Sequence, residues 1–157
     1  MKLLLGRQRI RNKWKCRNIT PSDLRALGEL MLGAYRGTVD DEGETLDDAI
    51  SEVQGTINGK YGPFLQECSF LVEEDGRATA ACMVTWWAPM DSPLLAFSMT
   101  LPGYKNRGIA TFLLREAVNA LIDAGYKELR LIVTETNIPA RHLYEKLGFV
   151  EIHQVDE

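Results

Sequence analysis

The chain has 157 residues, 45% of them hydrophobic, and a formal net charge of −4, enough to bury a core of its own and short enough to favour one domain over residues 1–157. No apolar run approaches the ~20 residues of a membrane span, and residues 1–6 are too short for the ~7–15-residue apolar centre of a secretory signal, so a cytoplasmic protein without a membrane partner is expected. Cys16, Cys68 and Cys82 form no CxxC pair, and His142 and His153 lie far from them, which argues against a zinc site or a disulfide framework.

The first seventeen residues carry Lys2, Arg7, Arg9, Arg11, Lys13, Lys15 and Arg17 with no acid among them. Such a stretch can be a basic arm for nucleic acid. From 7 to 17, however, every charge falls on an odd position, and Ile10, Trp14 and Cys16 fall on even ones. That alternation predicts an edge strand with one wet face, and no nucleic-acid partner. Cys16 and Cys82 both sit in strand-like alternations, where a buried, inert thiol is expected.

Thr20-Pro21-Ser22-Asp23 reads as a helix start, with a hydroxyl cap, a proline at the first helical position and an acid three residues past the cap. Leu24, Leu27, Leu30, Met31, Ala34 and Tyr35 continue it as an apolar stripe ending near Gly37. Thr45-Leu46-Asp47-Asp48 repeats the capping pattern, and Ala49, Ile50, Val53 and Ile57 carry a second helix to Asn58-Gly59. Between and along these helices Asp40, Asp41, Glu42, Glu44, Asp47, Asp48 and Glu52 meet no basic residue. The run reads as a solvated loop and helix face, or as an electrostatic funnel for a cationic substrate.

Residues 69–73 and 78–86 read as a hairpin turning at 74–77. A break at 89–93 separates it from a strand over 94–101. The apolar positions of 109–124 follow helical spacing, Gly125 fits the position after the helix end, and 128–134 is a β-branched strand. Strand, crossover helix and strand make a βαβ unit, so those two strands should be parallel.

Lys105-Asn106-Arg107-Gly108-Ile109-Ala110 lies between a strand and a helix start. Gly108 admits close backbone approach, Ala110 keeps the next turn small, and the helix start offers free N–H groups with the positive end of the dipole. Lys105 and Arg107 add charge. This is an anion cradle, although it lacks both the nucleotide P-loop spacing and the dinucleotide fingerprint. Farther on stands Asn137-Ile138-Pro139-Ala140-Arg141-His142-Leu143-Tyr144, followed by Leu147-Gly148-Phe149.

The two motifs together, in this order and with a helix and a strand between them, resemble the GNAT N-acetyltransferase superfamily over residues 13–155. The resemblance implies an α/β fold, a GNAT-like mixed sheet with antiparallel N-terminal strands, a central parallel βαβ unit and flanking helices. It implies acetyl-CoA as cofactor, with Asn106, Arg107, Gly108, Ile109, Ala110 and Thr111 around the pyrophosphate of coenzyme A. Lys105 stands where the family usually has Arg or Gln, keeping charge without a planar fork. Ser98, Met99 and Thr100 would offer backbone groups to the pantetheine arm, and Asn137 would contact the cofactor.

Tyr144 would be the general acid. A phenol with a pKa of about 10 keeps its proton at neutral pH and can pass it to a thiolate whose parent thiol titrates near ~8.5. The implied reaction is direct attack of a primary amine on the thioester in a ternary complex. The strand at 94–101 carries no carboxylate to act as base, so Glu135 is the candidate, ahead of Asp40, Asp41, Glu42 and His142. The acceptor is a small molecule or peptide amine, with the acidic stretch tilting towards a cationic one.

Family members commonly end in two strands after the short helix, and 148–155 suffices for one. Either the acceptor site is more open than usual, or a partner subunit completes the sheet in a homodimer. Two rival functions remain on the sequence: a non-catalytic acyl-CoA-binding module, and an RNA- or ribosome-associated protein using the basic N-terminal segment.

Overall fold

Local capping sets both N-terminal helices. In the computed structural model, which describes residues 1–11 and 14–152, the Thr20 N–H donates to Asp23 Oδ2 at 2.8 Å. A 3-10 turn, Pro21–Asp23, leads there into α1 (Leu24–Tyr35). Thr45 and Asp48 exchange the two bonds of a capping box at the start of α2 (Leu46–Ile57). The helices cross closely because α1 carries Gly28 at the contact: a Cβ there would fall 2.5 Å from Ile50 Cγ1. Any side chain would force them apart.

Among the described residues, six strands form one sheet in the order β1-β6-β5-β4-β3-β2. They are β1 (Lys2–Leu4), β2 (Cys16–Asn18), β3 (Phe70–Glu74), β4 (Arg77–Trp87), β5 (Ser92–Thr100) and β6 (Glu128–Leu131). Only β5 and β6 run parallel, joined by α3 (Ile109–Asp123); α4 (Ile138–Lys146) follows β6. The predicted mixed sheet with a central βαβ unit is the observed architecture.

Alternation along β4 divides the core. Ala80, Cys82 and Val84 face the cluster under α3 and α4. Ala81 and Met83 face the cluster under α1 and α2. Leu113, Leu114, Ala117 and Leu121 line the buried stripe of α3, each leucine contributing roughly 1.5–3 kcal/mol on burial. Cys82 lies in this interior, and burial pushes its thiol up to about 12, as an inert core cysteine requires.

Four sequence expectations are corrected. The strand predicted over 7–17 is confined to Cys16–Asn18; its Lys13 lies outside the described residues. The preceding segment runs along α3 instead, with Gln8 N–H donating to Asn119 Oδ1 at 2.8 Å and Asn119 Nδ2 returning to Gln8 O at 3.0 Å. Ile10 and Trp14 still point inward and Arg9, Arg11 and Lys15 outward, so the alternation marked the wet face correctly while the partner is a helix. Second, β5 begins at Ser92 and not at 94, because the break is a single turn, Ala88–Met90, closed by a left-handed Asp91. Pro93 near the strand start is tolerated. Third, β6 stops at Leu131 and not at 134.

The fourth concerns the end of the sheet. The neighbour of β6 on its outer side is β1, paired Lys2↔Arg130, Leu3↔Leu129 and Leu4↔Glu128. Beyond β1, Val150 exchanges two backbone bonds with Lys2, at 2.8 and 3.0 Å. The outer side of β6 is thus covered by this chain's own β1. Among the described residues of the strand predicted over 148–155, Val150 alone pairs, as an isolated bridge; residues 153–155, His153 among them, lie outside the described residues.

Candidate active site

A slip in the β4–β5 ladder opens the site. Met83 faces Phe97 whereas Val84 faces Leu95, leaving Ala96 unmatched. Such a bulge bends its strand, and the parallel pairing of β5 with β6 ends at Leu95↔Leu131. Past that point Ser98, Met99 and Thr100 have no β6 partner and line a cleft of about 940 Å³, at the upper end of the ~300–1,000 Å³ usual for ligand sites. The Met99 side chain is buried in the core under α1, so this residue presents backbone to the cleft.

Across the opening stands the cradle. Asn106 and Gly108 both adopt left-handed conformations, with φ of 65° and 84°, curling the loop into the first turn of α3, whose leading N–H groups have no partner within the helix. Lys105, Asn106, Gly108, Ala110 and Thr111 line the cleft. Ile109 is only 1% exposed and anchors the turn in the core, and Arg107 lies over the Tyr104 ring at 5.2 Å. A Cβ at Gly108 would also approach Trp14 Cη2 to 3.6 Å, and Trp14 packs on Phe112 with ring centroids 5.5 Å apart. The N-terminal segment thus backs the cradle.

α4 closes the third side. Asn137 caps it, its Oδ1 accepting from the Ala140 N–H at 3.3 Å. Tyr144 reaches the cleft from a nearly buried position, its ring 5.7 Å from Phe149. Burial raises the Tyr144 pKa above its ordinary 10, partly offset by the Ser98 hydroxyl beside the phenol, while the charge of Asp40 raises it further. The phenol therefore keeps its proton at neutral pH. Glu135 is exposed and does not line the cleft, although its neighbours Thr136 and Asn137 do.

The fourth side was not assigned residue by residue from sequence. Tyr35, Gly37, Thr38 and Val39, at the end of α1 and in the loop after it, also line the cleft. Burial raises the Tyr35 pKa as well. Among the described residues no acid lines the cleft, whereas Lys105, His142 and Lys146 do.

The acids of this region are occupied nearby. Asp41 accepts from the N–H groups of Gly37 at 2.8 Å and Gly43 at 2.9 Å, which hold its carboxyl below the usual range. Glu52 binds Lys60 and the Tyr61 hydroxyl. Asp40 accepts from Thr134 Oγ1 and Asn137 Nδ2. Of the N-terminal bases, Arg7 pairs with Asp123, and Arg17 with Asp23 and Glu73.

Residues 31–149 match the model of the acetyltransferase (GNAT) family. An N-alpha-acetyltransferase MAK3 of Arabidopsis thaliana is 27% identical over 108 residues, 67% of this chain and 57% of that protein; the chain thus spans little more than half of that curated relative. Among solved structures, PH1933 from Pyrococcus horikoshii OT3 superposes with a TM-score of 0.73 at 18% identity, covering 89% of this chain and 90% of the other. A GNAT family acetyltransferase from Brucella melitensis, solved with acetyl-CoA, gives 0.65 at 19% identity over 87% and 82% of the two chains.

Proposed function

Because the chain belongs to the GNAT acetyltransferase family, we propose that it is an N-acetyltransferase using acetyl-CoA to acetylate a primary amine by direct attack in a ternary complex. The observation that carries this reading is the meeting, in one cleft, of a left-handed glycine at a helix start, a strand edge released by a bulge, and a buried protonated phenol. The fit to the cofactor is steric as well as electrostatic. The backbone at Gly108 presents no side chain where a pyrophosphate would lie, and the N–H groups of the first turn of α3 favour an anion.

Acetyl-CoA, when bound, supplies an acyl carbon open to attack and a thiolate that departs. The residues of the chain hold and orient it. The cradle at 105–111 takes the pyrophosphate, with Lys105 adding charge at its rim. Ser98, Met99 and Thr100 extend the sheet onto the pantetheine arm, as an unpaired strand edge accepts an extended ligand. Tyr144 holds a proton at Oη for the thiolate.

The acceptor enters past Val39 and Ile138, exposed apolar residues that line the cleft, 59% and 52% accessible. With no carboxylate lining the cleft, the amine proton leaves through water, from which exposed Glu135 takes it. The test is thiol release from acetyl-CoA against a panel of polyamine, aminoglycoside, lysine and peptide α-amine acceptors. Release stimulated by one class identifies the acceptor, and coenzyme A binding without stimulated release by any class overturns the enzyme reading.

A further inference from the structure

Asp40 lies in the loop after α1, next to cleft-lining Val39, and makes two long-range side-chain bonds. Its Oδ1 accepts from Thr134 Oγ1 at 2.7 Å, and its Oδ2 from Asn137 Nδ2 at 3.2 Å. The amide of Asn137 is thereby held at both ends, since Oδ1 caps α4 through the Ala140 N–H. A carboxylate accepts and cannot donate, so it admits only the amide orientation that leaves Oδ1 for the cap. Through that cap the same contact reaches the start of the helix that carries Tyr144.

We propose that Asp40 is a positioning residue: it ties the acceptor-side loop to Asn137 and Thr134, so that the last part of the cofactor site is set from across the cleft. This rests on the reading of the cleft as a coenzyme A site. The two halves of the site are then coupled. Coenzyme A binds best when the acceptor loop is already tied, and loosening the loop costs cofactor affinity although Asp40 itself does not line the cleft.

Calorimetric titration of coenzyme A into wild type, Asp40→Ala, Asn137→Ala and the double variant tests this, with thermal melting as control. Asp40→Ala should weaken binding by about five- to tenfold, the scale of one net hydrogen bond. The double variant should be no weaker than the poorer single one, because the two residues act as a unit. Asp40→Ser keeps a polar loop residue but is too short to reach both Thr134 and Asn137, so it gives the same loss if the alanine variant does not fold. Unchanged affinity in the Asp40 variants, or losses that simply add, overturns the positioning role alone. A wild-type protein that does not bind coenzyme A overturns the cofactor reading and this inference with it.

Discussion

The two walls of the cleft are built by different means. The donor wall is mainly backbone on rigid elements: the released edge of β5, the left-handed turn at Gly108 and the first N–H groups of α3. The acceptor wall is a loop held by side chains, in which Asp41 gathers the Gly37 and Gly43 N–H groups and Asp40 reaches to Thr134 and Asn137. Backbone sites tolerate changes of side-chain identity, whereas a loop tied by a few carboxylates is reshaped by one substitution.

Removing the proton donor separates the walls most strongly. Tyr144→Phe should lower kcat by about a hundredfold, the lower end for a lost general acid, while coenzyme A affinity stays within roughly twofold. Stopped-flow thiol release with parallel binding measurements reads both, and equal losses in the two would make Tyr144 a packing residue. On the donor wall alone, Gly108→Val places a β-branched residue at φ 84°, a strain of ~1–2 kcal/mol. Coenzyme A affinity should fall about tenfold, and the acceptor KM, measured at saturating acetyl-CoA, should hold.

The acceptor wall gives a smaller effect of opposite kind. Asp41→Ala frees two loop N–H groups and should raise the acceptor KM by about threefold, with a smaller loss of coenzyme A affinity than in Asp40→Ala, because the Asp40 bonds to Thr134 and Asn137 remain; a cofactor loss as large as that of Asp40→Ala would erase the distinction between the walls. pH gives the gentlest version of this test. The Asp41 carboxyl is held below its ordinary 3.8 by the Gly37 and Gly43 N–H groups, so its contribution is complete above that value and is lost as pH falls through the lowered one. Amide exchange at Gly37 and Gly43, compared with that expected for the ordinary acid dependence of exchange, should show protection lost there before it is lost in α3.

What could be read from the sequence follows the range of the interactions concerned. Thr20 with Asp23 and Thr45 with Asp48 act over three residues, so both helix starts were legible. The cradle and Tyr144 belong to motifs of similarly short span. The early end of β6 was not legible, because it depends on a bulge at Ala96 in another strand. The described residues 7–11 and 14–17 keep the inward and outward faces read from the sequence, but nothing local distinguishes a helix from a strand as the surface covered. The bond from Asp40 to Asn137 spans 97 positions, which is why the acidic stretch read only as a solvated run or a funnel.

The placement of β1 also bears on the order in which the molecule assembles. Its register partners are Glu128, Leu129 and Arg130, and Val150 lies beyond it, so its pairing closes a loop that holds most of the chain. A three-residue strand offers few contacts to offset that entropy until β6 and the α3 surface are already in place. Docking of β1 is then a late step in folding, and the last seam of the sheet to close is also the first expected to open under denaturant.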